Sequence, residues 1–129
     1  MRLIEQEIIK ALRTEMDYAS SVTQDTYRKK EGKRDVIQWH EDYPGIFSYK
    51  LWGHQIAKGD TVSRTLEISD CGYATSTTRS RLNAVFAALD IPMSCSVHRK
   101  IMRWYVNGML SSGLGKQTLK AGEWTIKIS

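Results

Sequence analysis

The hydrophobic period of this chain switches from helical to alternating, back to helical and back again, and that succession limits the fold more than any single motif does. Taking about 100° per residue, Ile4, Ile8, Ala11, Leu12, Ala19 and Val22 fall within about a third of the helical circumference, so residues 2–22 read as an amphipathic helix. Glu15 falls inside that stripe, so either part of the face meets water or a base elsewhere pairs with it. The apolar face needs a cover: the protein's own sheet, or a second copy in a homo-oligomer built through this helix.

From residue 46 the pattern alternates. In IFSYKLW, residues 46–52, Phe47, Tyr49 and Leu51 share one face and Ser48 and Lys50 the other, as in a half-buried strand. The turn-forming EDYPG follows a short strand at 36–39. Gly53-His54 and Lys58-Gly59-Asp60 then punctuate the chain, so 55–57 and 62–69 read as further strands of an antiparallel meander. At 77–90 the spacing is helical again, with Leu82, Val85, Phe86 and Leu89 at i, i+3, i+4 and i+7 and Pro92 as the stop. SCSVHRK and MRWYVN read as two strands or one bent strand. The tail ends in Trp124, Ile126 and Ile128, alternating as a final edge strand would.

The expected architecture is therefore α+β: an antiparallel sheet of about five to six strands, with the N-terminal helix and a central helix at 77–90 packed on it. A chain of 129 residues buries roughly two thirds of the surface its unfolded form exposes, enough for one core. A single domain is expected over 1–129, with the helix at 2–22, a sheet-and-helix core at 36–107 and a loop and strand at 108–129.

Charge narrows the function. The net charge is +5, and all of the excess lies in the last third. Up to Asp90, 13 bases face 13 acids, whereas from Ile91 onward Arg99, Lys100, Arg103, Lys116, Lys120 and Lys127 face Glu123 alone. That sign excludes a DNA mimic and is compatible with a nucleic-acid or acidic-protein partner. A second basic cluster, Arg28, Lys29, Lys30, Lys33 and Arg34, lies in TYRKKEGKRD, residues 26–35, and reads as a turn, an exposed linker or a phosphate-contacting arm. The opening helix mixes acids and bases into its apolar positions, unlike a signal peptide or a membrane span, so the expected compartment is the cytoplasm. Cys71 and Cys95, 24 residues apart and outside any CxxC pair, read as free core thiols.

The stretch CGYATSTTRSRLNA, residues 71–84, invites two readings. Thr77 or Thr78 can cap the central helix and Gly72 can turn the chain, which accounts for the small residues. A helix start also presents free N–H groups and a partial positive charge, so a phosphate could sit there with Arg79 and Arg81 assisting. About 200° separates the two arginines around the helix, so they do not form one fork.

These residues resemble a family of small tailed-phage proteins. LWGHQIA (51–57), LEISDCGYATSTTRSRLNAVF (66–86) and RWYV (103–106) are similar to its shared core, L-x-G-x-x-I-A, then S-x-C-G-Y/W-x-T-x-T-T-K/R-S-R-L-N-A, then a strand with Trp. The resemblance covers roughly 49–106 and implies a phage-encoded protein acting in an infected bacterium; it implies no activity.

Catalytic chemistry finds no footing. His40, His54, His98 and the cysteines never recur at metal-ligand spacings, and there is no P-loop, GxGxxG, HExxH or GxSxG. Neither catalytic residues nor a metal nor a cofactor is expected. Two readings remain. One is a non-catalytic accessory protein that binds nucleic acid, with Arg28, Lys29, Lys30, Lys33, Arg34, Arg79, Arg81, Arg99, Lys100 and Arg103 as contacts and Trp or Tyr side chains stacking on bases. The other is a protein-binding inhibitor or modulator of a host or anti-phage defence system.

Overall fold

The structure, a computed structural model, describes residues 2–25, 30–113 and 115–129; at 22–25, 30 and 31 it describes the backbone. Helix α1 (Leu3–Arg13) leads into β1 (Tyr18–Ala19) and the hairpin β2 (Val22–Asp25) and β3 (Lys30–Lys33). An antiparallel meander follows, β4 (Asp35–Trp39), β5 (Ile46–Leu51), β6 (His54–Asp60) and β7 (Thr65–Ile68), then α2 (Ser76–Ala88). The chain closes with β8 (Met93–His98), β9 (Ile101–Val106), β10 (Met109–Leu110), β11 (Gln117–Ala121) and β12 (Trp124–Ile128).

The α+β class holds, with more strands than the alternation suggested. The main sheet has seven strands in the order β1-β4-β5-β6-β7-β12-β11, and a second sheet has three in the order β10-β9-β8. The main sheet is mixed, because β12 pairs parallel to β7 with Ile126 opposite Leu66 and Ile128 opposite Ile68. The last strand is thus interior rather than an edge; β11 is the edge. Ile126 and Ile128 are both buried, as a strand paired on both sides requires.

The N-terminal helix ends at Arg13, nine residues short of the expected end at Val22. Glu15, the acid inside the apolar stripe, stops it. Glu15 adopts φ 52, and the Met16 N–H donates to Ala11 O at 2.9 Å, a 6→1 bond that closes the last turn around a left-handed residue. Helix α2 ends the same way two residues before Asp90, whose φ is 54, with Ile91 N–H donating to Phe86 O at 2.9 Å and Pro92 next. Its start also differs from expectation: Thr75, not Thr77 or Thr78, is the N-cap, its Oγ1 accepting the Thr78 N–H at 3.2 Å.

The two helices run side by side in the same direction. Ser80 Oγ donates to Glu5 Oε1 at 2.9 Å near their starts, and Arg13 donates to the Ala87 and Ala88 carbonyls near their ends. A guanidinium on the last carbonyls of a helix satisfies orphan acceptors and complements the dipole. Ile8, Ala11 and Leu12 are buried within the chain, so the apolar face that could have served self-association is mostly covered at home.

Helix α2 packs against α1, against β6 of the main sheet and against β8 of the small sheet. It is therefore buried on most sides: Leu82, Val85 and Phe86 are within 1% of full burial, while Leu89 is half-buried. Lys58-Gly59-Asp60, read as a turn, lies inside β6. Gly59 faces the core, and a Cβ there would stand 2.4 Å from the Phe47 ring, so glycine marks a close approach rather than a break.

Candidate functional site

Buried charge sits at the centre of the fold. Asp35, at the head of β4, is fully buried; its Oδ1 accepts from Arg81 Nε at 2.8 Å and from Tyr49 OH at 2.6 Å, and its Oδ2 accepts from Arg34 Nε at 3.0 Å. Ser20 Oγ accepts the N–H groups of Arg34 and Asp35, both at 3.0 Å. Arg81 is 1% exposed and spends a second donor on Ser80 Oγ at 3.1 Å. This removes Arg81 from the phosphate contacts expected of it: a side chain committed to an interior carboxylate cannot reach a ligand at the helix start. Burial, then the neighbouring Asp35 charge, push the Tyr49 hydroxyl well above the ordinary phenol range. Arg34 is half-buried on the same carboxylate.

The rest of the 71–84 stretch is equally absorbed by folding. Ser69 Oγ accepts the Cys71 N–H at 3.0 Å and Asp70 Oδ1 accepts the Gly72 N–H at 2.9 Å, closing a turn in which both Cys71 and Gly72 have positive φ. The Cys71 thiol donates to Gln55 O at 3.2 Å, and its residue is partly exposed rather than core. Asn83 pairs with the backbone of β8, accepting from Cys95 N–H at 2.8 Å and donating to Cys95 O at 3.0 Å. An amide side chain thus covers the free edge of the small sheet. Cys95 is buried as expected, and burial pushes its thiol up to about 12.

Two of the expected contacts, Arg99 and Lys100, lie together at the surface on the β8–β9 hairpin. His98 pairs with Ile101, so Arg99 and Lys100 alone make the turn; both are exposed, with φ 50 and 62. Two-residue hairpin turns with both φ positive strongly favour Asn-Gly. The β9–β10 turn uses Asn107-Gly108, at φ 51 and 80, and the β5–β6 turn uses Trp52-Gly53, at φ 50 and 79. At the β8–β9 turn two cations occupy the position instead. Among the described residues neither has an ion-pair partner.

Arg103 follows on β9, half-buried, with Nε out of contact with solvent and, among the described residues, without a hydrogen-bond partner. It lines a pocket of about 320 Å³ shared with Met102, Trp104, Leu110 and Ser111. Trp104 and Trp124 are otherwise core residues, 6% and 7% exposed. The basic residues of the sequence therefore separate into groups. Arg99, Lys100 and Arg103 share one hairpin, and Arg34 and Arg81 converge on Asp35. Arg79 is exposed on α2, its carbonyl 3.9 Å from the Cys95 thiol, and Lys33 is exposed at the end of β3. Arg28 and Lys29 lie outside the described residues, as does the side chain of Lys30. The segment read as a turn or linker is in part the β2–β3 hairpin, with Val22 opposite Lys33. Asp35, Ser20, Asn83, Leu110 and Ser111 were not singled out from the sequence.

Among the described residues no helix is long and apolar enough to cross a membrane. A helix pair beside a large mixed sheet, a small second sheet and a hairpin with two exposed cations at its turn define a small α+β protein. The chain belongs to the Kyanoviridae Gp96 protein family, a tailed-phage (cyanophage) family whose model matches residues 1–127. The match extends well beyond the 49–106 core of the resemblance, taking in α1, the β2–β3 segment and the basic tail. No curated protein and no solved structure matches the chain.

Proposed function

We propose that this is a non-catalytic phage accessory protein that binds nucleic acid through the β8–β9 hairpin. The observation that carries the reading is the Arg99-Lys100 turn. A non-glycine residue in the left-handed region costs roughly 1–2 kcal/mol, and such strain concentrates where function maintains it. A turn selected for folding alone would take glycine, as the Asn107-Gly108 turn does. Two cations at an exposed tip, without an ion-pair partner among the described residues and in the third of the chain that holds six bases against one acid, suit phosphate oxygens. Lys33 and Arg79 are the further exposed candidates; Arg34 and Arg81 drop out of the contact set.

Anisotropy titrations with single- and double-stranded DNA and RNA test this. Binding should be weak, sequence-tolerant and steeply salt-dependent, within the roughly 10⁻⁶–10⁻⁴ M range of non-specific association. Arg99→Ala with Lys100→Ala should lower affinity for all sequences alike and flatten the salt slope by up to about one unit per lost contact. Lys100→Gly should weaken binding while raising stability by about 1 kcal/mol, because it relieves the positive φ. No binding at tens of micromolar protein in roughly 50 mM salt overturns the reading, since non-specific phosphate contacts are strongest at low salt.

A further inference from the structure

The small sheet turns one face to the core and the other to solvent. Met93, Cys95, Met102 and Trp104 alternate inward and are buried. Ser94, Ser96 and His98 on β8, paired with Tyr105, Arg103 and Ile101 on β9, make the outer face. There Ser94, His98 and Ile101 are exposed and the other three are half-buried. Tyr105 stands on the central strand, with Leu110 of β10, 52% exposed, opposite it on the other side. We infer that this outer face is a stacking platform that makes the protein selective for single-stranded nucleic acid, with Tyr105 as the residue that takes a base. The inference rests on the nucleic-acid reading above and names the form of nucleic acid that the same hairpin would hold.

The setting of the ring suits that task. Ser94 is the residue directly across from Tyr105, yet the Tyr105 hydroxyl accepts from Ser96 Oγ at 3.4 Å, so the side chain slants diagonally across β8. Both of its neighbours on β8 are serines, too short to cover a phenol ring. The bond to Ser96 holds the ring in place before a base arrives, which lowers the ordering cost of binding. Aromatic rings on open sheets are a common way to take unstacked bases, and they do so with little regard to sequence because every base has a π-face.

Charge selects the occupant. From Ile91 to Gly122 the chain has no Asp or Glu, so the small sheet and its turns carry Arg99, Lys100 and Arg103 without one acid among them. A second copy seated face to face on this surface would set those cations against their own like. A polyanion with planar groups meets both the charge and the ring. At about 3.3 Å per residue, Lys100 and Tyr105 lie roughly 17 Å apart along β9. That is about five nucleotides at the duplex rise of about 3.4 Å, and fewer in an extended strand. A single strand can therefore lay phosphates along Arg99 and Lys100 and a base on Tyr105 at once. A duplex keeps its base faces stacked on one another, so it reaches the cations and not the platform.

Anisotropy titrations of the full chain with three probes of one length decide the matter: a thymidine octamer, an abasic octamer that keeps the phosphates and lacks the rings, and the thymidine octamer paired with its complement. Wild type should bind the thymidine strand roughly 5- to 150-fold more tightly than the abasic one, the span of one stacked base. Tyr105→Leu keeps apolar volume and loses the π-face. It should erase that margin while leaving abasic and duplex affinity and the salt slope unchanged, which also reports that the variant is folded. Tyr105→Phe should keep most of the margin. Equal binding of thymidine and abasic strands by wild type, or a margin that survives Tyr105→Leu, overturns the platform and leaves the hairpin reading standing. A Tyr105-dependent margin with overall affinity unchanged by Arg99→Ala and Lys100→Ala keeps the platform and overturns the hairpin reading. Light scattering that finds a dimer dissolved by Tyr105→Leu would make the face a self-association surface and overturn the inference. No binding of any probe in roughly 50 mM salt overturns both readings.

Discussion

Asp35→Ala should lower stability by about 3–5 kcal/mol, because it strands the buried Arg81 charge, and Arg81→Ala should cost less, because Asp35 keeps Arg34 and Tyr49 as partners. That loss is a large part of the roughly 5–15 kcal/mol that holds a typical domain together. The pair is fully interior: Asp35 is 0% and Arg81 1% exposed. Asp35→Leu combined with Arg81→Met should recover much of the loss, since apolar replacements remove both charges at once. Recovery will be incomplete, because Tyr49 OH loses its partner, an unsatisfied group costing about 1–3 kcal/mol, and Arg34 loses its carboxylate, while Ser80 Oγ keeps Glu5. Urea titrations of wild type, the two single variants and the double variant measure this. Single variants within 1 kcal/mol of wild type, a loss typical of surface changes, would show the pair to be dispensable. The network also sets an alkaline limit. Tyr49 is held protonated by burial and by Asp35, so its folded-state pKa lies above the ordinary phenol value of about 10. Its contribution is fully present below about pH 10 and is lost as pH rises through and beyond that value. Tyr49→Phe should therefore flatten the fall in stability above pH 10, with Tyr18, raised by burial and by its hydrogen bond to Glu7, keeping a share of it.

That carboxylate shows where the chain was legible and where it was not. The meander and the central helix follow from local spacing, since Phe47, Tyr49 and Leu51, and again Leu82, Val85 and Phe86, repeat at the period of the element they build. Asp35 sits at the end of a basic run, where an acid reads as solvated. Yet it is two residues before Ile37 and therefore on the same inward face of β4, a signal that alternation carries. The end of α1 was misplaced because Ala19 and Val22 happen to fit the helical stripe, while the left-handed Glu15 is a conformation that only tertiary packing reveals. The parallel pairing of β12 with β7 joins residues some sixty positions apart, and no local pattern encodes such a partner.

The candidate site divides along similar lines. Its charge is written in the sequence, as HRK and the one-sided balance of the last third. Its accessibility is not, because arginines two residues apart in TTRSR end up one at the surface and one in the core. Nor is the pocket legible: it forms because the Ser111 N–H donates to Trp104 O at 2.9 Å and draws the chain after β10 alongside β9.

Phe86→Ala should cost about 3–5 kcal/mol, as large-to-small changes of buried phenylalanine do. The reason lies in the position of α2. A helix with solvent on one side can shift to fill a void, whereas α2 packs against α1, β6 and β8 at once and has little room to collapse. Phe86 is 1% exposed, and its carbonyl accepts the Ile91 N–H that ends the helix, so the void opens beside the cap. Phe86→Leu should cost less, because more of the volume is kept. The consequence should extend to the hairpin. Asn83, on the same helix, is the side chain that fixes Cys95 on β8, so loosening α2 should raise amide exchange in β8 and β9 as well as in the main sheet. Exchange that rises in the main sheet alone would mean that the hairpin is held independently of α2. Exchange that rises in both, with oligonucleotide affinity falling alongside, would tie the geometry of the cationic turn to the packing of the helix beneath it.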